Sequence, residues 1–343
     1  MTRIRSMFVA ALAGALATAA PALAQDAVLN LYSARHYQTD EALYANFTKA
    51  TGIRINRIEA GDEQLLERLR SEGANSPADV LLIVDASRLY NAQQLGLFQP
   101  VKSALLESRI PATLRDPSGE WFGFSSRARV IVYSKARVKA AEVPSYESLA
   151  AAANKGRVCV RSGSHPYNLS LVAAMIEHLG EPKAEAWARG MVANFARAPK
   201  GGDTDQIKAV AAGECDVALS NSYYYARLLR SARVEDQEVV AKAGIVWPDQ
   251  AGFGAHVNIS GAGVLKNAPH RDAAVRFLEY LASDEAQRYF ADGNNEWPVV
   301  KSVVVKNPAL EAMGTFKADS LSIATLGRNT PAAQKLVDRA GWR

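Results

Sequence analysis

Between residues 27 and 96 the hydrophobic period switches repeatedly between that of a strand and that of a helix. Segments of strand length fall at 27–32 and 79–84, both apolar, and at 53–58, which alternates, and helical stretches at 40–50, 62–71 and 86–95, the first and last closed by Gly52 and Gly96. Parallel strands need a crossover of about a dozen residues or more, and that crossover is right-handed. A strand-helix series of this spacing therefore predicts a parallel sheet covered by helices. The run 79–84 is apolar at every position after Asp79, as a strand buried on both faces must be.

The stretch 121–133 reads as strands running out of this unit, and a second α/β series follows. Ser145 opens a helix, 157–161 is a strand, and helices are expected at 169–179, 183–195 and 203–212. A strand at 216–220 leads into a helix at 223–231, and 257–265 reads as a strand returning to the first unit. Helices at 271–282, 284–290 and 332–339 close the chain. The expected fold class is α/β, with two α/β lobes joined by hinge strands. One lobe takes 25–125 plus about 250–300, and the other takes 126–249 plus about 301–343. Ligands of open α/β sheets sit beyond the carboxyl ends of the strands, so a cleft between two such lobes collects residues from both.

A chain of 343 residues, 48% hydrophobic and 22% charged, can bury a large core and is not a disordered polymer. The start is read apart from the fold. Arg3 and Arg5 precede an uncharged run over 7–20, and Ala22-Leu23-Ala24 supplies a small-x-small cleavage site, so 1–24 reads as a secretory signal peptide. The apolar run is shorter than the ~20 residues that a membrane span needs. The formal charge of +5 falls to +3 without Arg3 and Arg5, and the remaining basic residues are dispersed, which argues against a nucleic-acid partner. Cys159 and Cys215 would occupy an oxidising compartment, where either a disulfide or two buried apolar thiols fits the sequence.

Four polar loops follow apolar strands: 33–37, 125–129, 162–168 and 221–225. Three of them hold tyrosines, namely Tyr37 after His36, Tyr167, and the run Tyr223-Tyr224-Tyr225. A single tyrosine at such a place is ordinary core packing. Several, on separate loops that the fold brings to one cleft, suggest chemistry. Phenol titrates near pH 10 and is neutral in water at pH 7, but a highly charged cation can displace the proton. Hard cations prefer anionic oxygen, and three phenolates would balance a 3+ charge; His36 could add a nitrogen. Ferric iron is the obvious candidate. Asp85, after the third strand, reads either as an acidic ligand or as a helix N-cap. Asn168 reads as the N-cap of its helix and His165 as a surface-loop histidine. His178, His256 and His270 are expected to be structural. No nucleophile-base order, phosphate loop or carboxylate pair points to an enzyme.

The stretches Tyr32-Ser33-Ala34-Arg35-His36-Tyr37, Arg127-Ala128-Arg129-Val130-Ile131-Val132-Tyr133, Gly201-Gly202-Asp203, Asn221-Ser222-Tyr223-Tyr224 and Asn295-Glu296-Trp297-Pro298 carry a resemblance. The sequence is similar to the periplasmic ferric-iron binding proteins of bacterial ABC transporters. The resemblance covers essentially all of the chain after residue 24. It implies the bilobal periplasmic binding protein fold of type II, a monomer in the periplasm, and an inner-membrane ABC permease as partner. It implies iron ligation by Tyr223, Tyr224 and Tyr167, with Tyr37 and optionally His36 from the other lobe. It also implies that Arg127 and Arg227 hold a synergistic anion such as carbonate or balance phenolate charge, with ferric iron as cargo and ferrous iron as a second oxidation state of it. Tyr225 has no ligand role in that family. The alternative on the same architecture is a receptor for thiamine, a polyamine or a phosphonate, with Arg35, Arg127 and Arg227 as anion contacts.

Overall fold

The computed structural model describes residues 27–35 and 39–343, so the leader, His36 and Tyr37 lie outside the described residues. The strands are β1 (Val28–Ser33), β2 (Arg54–Glu59), β3 (Val80–Val84), β4 (Phe122–Ser134), β5 (Val158–Cys159), β6 (Val217–Asn221), β7 (Ala243–Val246), β8 (Val257–Val264) and β9 (Trp297–Pro298). The order β2-β1-β3-β8-β4-β6-β5 makes one continuous sheet, with β7 and β9 also pairing with β4. The expected alternation is present: β1 runs parallel to β2 and to β3, separated in sequence by the helices Asp40–Thr51 and Asp62–Glu72.

β4 is the shared strand. Over residues 122–128 it pairs antiparallel with β8, which pairs on its other edge with β3. Over residues 129–133 it pairs with β6, and β6 runs parallel to β5. One 13-residue strand thus carries the backbone ladder from the first half of the molecule to the second.

The first half packs two cores, one around Phe47, Phe122 and Phe277, and one around Leu89, Trp121 and Ile259. The second half packs Met175, Trp187 and Trp342 on one side, and Ile207, Tyr225 and Cys159 on the other. Helix Ile323–Ala340 serves both halves: Ile323 and Leu326 lie in the Trp121 core, and Leu336 and Val337 in the Trp187 core. Its close approach depends on Gly327, where a Cβ would sit 2.4 Å from the Cβ of Tyr90. No described helix is long and apolar enough to cross a membrane.

Three sequence readings are corrected. The helix expected from Ser145 is only the 3-10 turn Glu147–Ala150. The helix expected at 332–339 starts nine residues earlier, at Ile323, and continues through Pro331, because both of its halves are held by core contacts. The helix Val234–Lys242 and the strand β7 were not anticipated.

Candidate metal centre

β5 and β6 are parallel neighbours, and both deliver the chain into helices at their carboxyl ends. After β5 a short loop enters the helix Pro166–Leu179, and after β6 the helix Ser222–Arg230 begins at once. Cys159 at the end of β5 and Cys215 just before β6 are joined by a disulfide, with Cα atoms 5.8 Å apart. The two helix starts are therefore tied side by side. Tyr167 lies in the first turn of one, and Tyr223 and Tyr224 in the first turn of the other. Partial positive charge at a helix N-terminus favours anionic oxygen there.

The structure brings these three tyrosines together. The hydroxyls of Tyr167 and Tyr223 are 3.2 Å apart. The rings of Tyr223 and Tyr224 lie 4.1 Å apart at 31°. Burial raises the pKa of Tyr224 well above that of free phenol, and the neighbouring Tyr167 and Asp203 act in the same direction. In the absence of a cation the phenol is therefore firmly protonated. Tyr225 points away and donates to the carbonyl of Ala243 at 3.0 Å.

Guanidinium groups surround the cluster. The Cζ atoms of Arg161, Arg127 and Arg129 lie 5.2, 5.9 and 6.0 Å from the Tyr167 ring centre. Arg227 is exposed, with its Cζ 5.8 Å from the Tyr223 ring and 5.6 Å from the Tyr224 ring. Arg127 is buried and donates through Nη1 to the Ser260 hydroxyl at 3.1 Å, while its Nε and Nη2 have no hydrogen-bond partner among the described residues. Buried donors of this kind demand an acceptor, so Arg127 suits an anion. Among the described residues no group of three or more His, Cys, Asp or Glu side chains converges as a metal site, so a hard cation here would rely on phenol oxygen.

Several expected roles change. Asp85 is not available as a ligand. Its carboxylate is fully buried, accepts from the Ser87 N–H at 3.0 Å, the Ser87 hydroxyl at 2.8 Å and Asn258 Nδ2 at 2.9 Å, and caps the helix Ala86–Gln94. His165 is no surface histidine: it is half-buried, and its Nδ1 accepts from the Tyr167 N–H at 3.3 Å, making it the N-cap in place of Asn168. Its ring meets Tyr167 edge-on at 4.5 Å. Burial, with the charges of Arg161 and Arg129, pushes its pKa down to about 2, so it stays neutral. Asn168 lies inside the helix, where its Oδ1 accepts from Arg129 at 2.6 Å. Arg35 is no anion contact either, being fully buried and paired with Asp40 at 2.8 Å and Glu296 at 3.2 Å.

His178, His256 and His270 have structural partners. They pair with Asp319 at 2.7 Å, Ser170 at 2.9 Å and Asp79 at 3.0 Å respectively. Sequence reasoning gave no role in the site to Arg129, Arg161 and Asp203; the motif Gly201-Gly202-Asp203 was the available signal.

The fold and this site define a two-lobe α/β receptor with a polar ligand site at its strand ends. A family model described as bacterial extracellular solute-binding protein matches residues 75–317, and the chain belongs to that family. It is similar to iron uptake protein A2 of Synechocystis sp., at 53% identity over 94% of this chain and 92% of the relative. It is also similar to the major ferric iron-binding protein of Neisseria meningitidis, at 30% identity over 97% of this chain and 98% of the relative. A solved Trichodesmium FutA, in complex with iron and citrate ligands, superimposes with a TM-score of 0.89 at 54% identity, covering 92% of this chain and 100% of that one. The type II bilobal fold expected from the sequence is the fold of these ferric-binding structures, and the relatives are binding proteins, not enzymes.

Proposed function

We propose that the chain is the periplasmic iron receptor of an ABC importer, holding ferric iron through the phenolates of Tyr167, Tyr223 and Tyr224. The observation that carries this reading is the convergence of those side chains, with two hydroxyls 3.2 Å apart and the third ring against its neighbour. The names of the Synechocystis, Neisseria and Trichodesmium relatives, all iron proteins, support it. The ion displaces phenol protons that burial otherwise holds in place, and the phenolates together offset its charge.

In this reading the lobe of residues 126–249 and about 301–343 receives the ion. The lobe of residues 25–125 and about 250–300 then closes over it by hinge motion and contributes Tyr37 and His36. Arg127 holds a synergistic anion such as carbonate, supported by its two buried nitrogens, Nε and Nη2, that have no partner among the described residues. Arg227, over the Tyr223 and Tyr224 rings, balances phenolate charge. The monomer, freed of its 1–24 leader, docks on an inner-membrane permease, and protonation of phenolate or reduction to ferrous iron loosens the ion.

The test is colour. Ferric phenolate absorbs visible light by charge transfer, so protein loaded from ferric nitrilotriacetate turns red to violet and bleaches with excess chelator or dithionite. Tyr224→Phe weakens that band while the far-ultraviolet circular dichroism stays that of wild type. A wild-type protein that stays colourless and takes up no ferric ion refutes the reading and favours an organic or oxyanion solute.

A further inference from the structure

One carboxylate links all the parts of the tyrosine cluster, and nothing in the iron reading uses it. Asp203 opens the helix Asp203–Ala212 and is buried. Its Oδ2 accepts from Arg129 Nη1 at 2.6 Å and from the backbone N–H of Asn221 at 2.6 Å, and its Oδ1 accepts from Arg161 Nη1 at 3.1 Å. Asn221 immediately precedes the helix that carries Tyr223 and Tyr224. Arg129 reaches on to Asn168 Oδ1 at 2.6 Å, one residue after Tyr167, and to Asn221 Oδ1 at 3.0 Å. Both arginines also stand beside the Tyr167 ring.

The local sequence frees Asp203 for this task. An acidic residue at a helix start ordinarily serves the exposed N–H groups of its own first turn. Here the helix start is closed instead by Asp205, which reaches back to accept from the N–H of the N-cap Gly202 at 2.7 Å. Gly201, at φ +69°, makes the turn that lets Asp203 face inward.

We propose that Asp203 is a positioning residue: through Arg129, Arg161 and Asn221 it fixes the spacing between the Tyr167 loop and the Tyr223-Tyr224 helix, and so sets the fit of the cluster to its ion. This rests on the ferric reading. Partners that orient metal ligands cost roughly 10–100-fold in metal affinity when removed.

The test compares Asp203→Asn with Asp216→Asn. Asp216 also anchors two arginines in the same lobe, Arg137 at 2.5 Å and Arg157 at 2.7 Å, but touches no tyrosine loop. Both variants and wild type are loaded with ferric nitrilotriacetate and titrated with competing chelator. Asp203→Asn is expected to lose at least tenfold in affinity and to show a displaced, weakened charge-transfer band, whereas Asp216→Asn keeps both values of wild type. Should Asp203→Asn fail to fold, Arg161→Gln removes one arm from a more exposed position and moves the band in the same direction. An unchanged band and affinity in the folded Asp203 variant, or in Arg161→Gln, overturns the proposal. If wild type itself takes up no ferric ion, the receptor reading fails separately. Asp203→Asn is then judged on metal-free protein by tyrosine near-ultraviolet circular dichroism, where an unchanged signal overturns the positioning role.

Discussion

Replacing Trp342 tests how far the tyrosine loop depends on a distant core residue. Trp342 is 1% exposed. Its ring meets Trp187 edge-on at 6.1 Å and Phe195 at 5.6 Å, and its Nε1 donates to the carbonyl of Arg161 at 3.1 Å. Gly163 lies so close that a Cβ there would be 2.3 Å from the Trp342 carbonyl oxygen. The loop between β5 and Tyr167 is thus laid directly on this tryptophan. Trp342→Ala removes a fully packed ring, which costs about 3–5 kcal/mol. The lost hydrogen bond adds little, because the Arg161 carbonyl still accepts from Asn168 Nδ2 at 3.1 Å and is not orphaned. Trp342→Phe keeps most of the aromatic contact and is expected to cost about 1–2 kcal/mol. The assay is equilibrium denaturation by urea of metal-free protein, reading a lowered midpoint at unchanged slope. Ferric affinity is measured beside it and should fall more in the Ala variant than in the Phe variant, because only the former frees the loop. A Trp342→Ala protein within about 0.5 kcal/mol of wild type, the usual range of a surface substitution, would refute the reasoning.

Gly327→Ala sets two effects against each other. Alanine improves helix propensity by about 1 kcal/mol, but its Cβ would stand 2.4 Å from the Tyr90 Cβ and 2.8 Å from its Cγ, backed by a packed core. Overpacking of this kind costs about 1–3 kcal/mol, so the variant is expected to unfold at lower urea, and adding Tyr90→Gly, which removes the opposing Cβ, should relieve the clash relative to Tyr90→Gly alone; a stabilised single variant would contradict the contact. His256 supplies a pH effect. Burial, then the charges of Arg129, Arg127 and His178, push its pKa down from 6.5 to about 3. The unfolded chain therefore binds a proton that the folded protein refuses. Stability held above pH 6.5 is lost as the pH falls from there toward 3, and the urea midpoint should drop between pH 7 and pH 5, less so in His256→Gln; equal slopes in the two proteins would exclude the histidine as the cause.

The fold was legible wherever one hydrophobic period held for a whole element. The runs 27–32, 53–58 and 79–84 lie within a residue of β1, β2 and β3: the last is apolar throughout because β3 is buried on both faces, and the second shows the alternation of the partly exposed edge strand β2. β7 escaped notice because it contains Gly244, where a Cβ would meet the Tyr133 ring at 2.7 Å. Glycine lowers any strand signal, and here a cross-strand aromatic requires it. The long helix from Ile323 was hidden by Gly327 and Pro331, both poor helix formers, inside a helix whose two ends are held by core contacts that no local window contains.

The candidate site divides along the same line. Tyr167, Tyr223 and Tyr224 could be picked out because strand-to-helix junctions are marked by local pattern, and an α/β sheet puts its ligands at those junctions. Asp85 and His165 were harder. Each sits at a junction too, but what decides its role is whether its polar atoms are already engaged: Asp85 by Ser87 and Asn258, and His165 by the Tyr167 N–H. Asp203 was out of reach for a further reason. Its partners Arg129 and Arg161 are 74 and 42 residues away, and although Gly201-Gly202-Asp203 and the loop holding Arg129 stand out in the sequence, nothing local says that the three charges meet. A cluster of phenols at strand ends can therefore be located from local sequence, while the charged groups that join its loops become visible only once β5 and β6 are known to be neighbours.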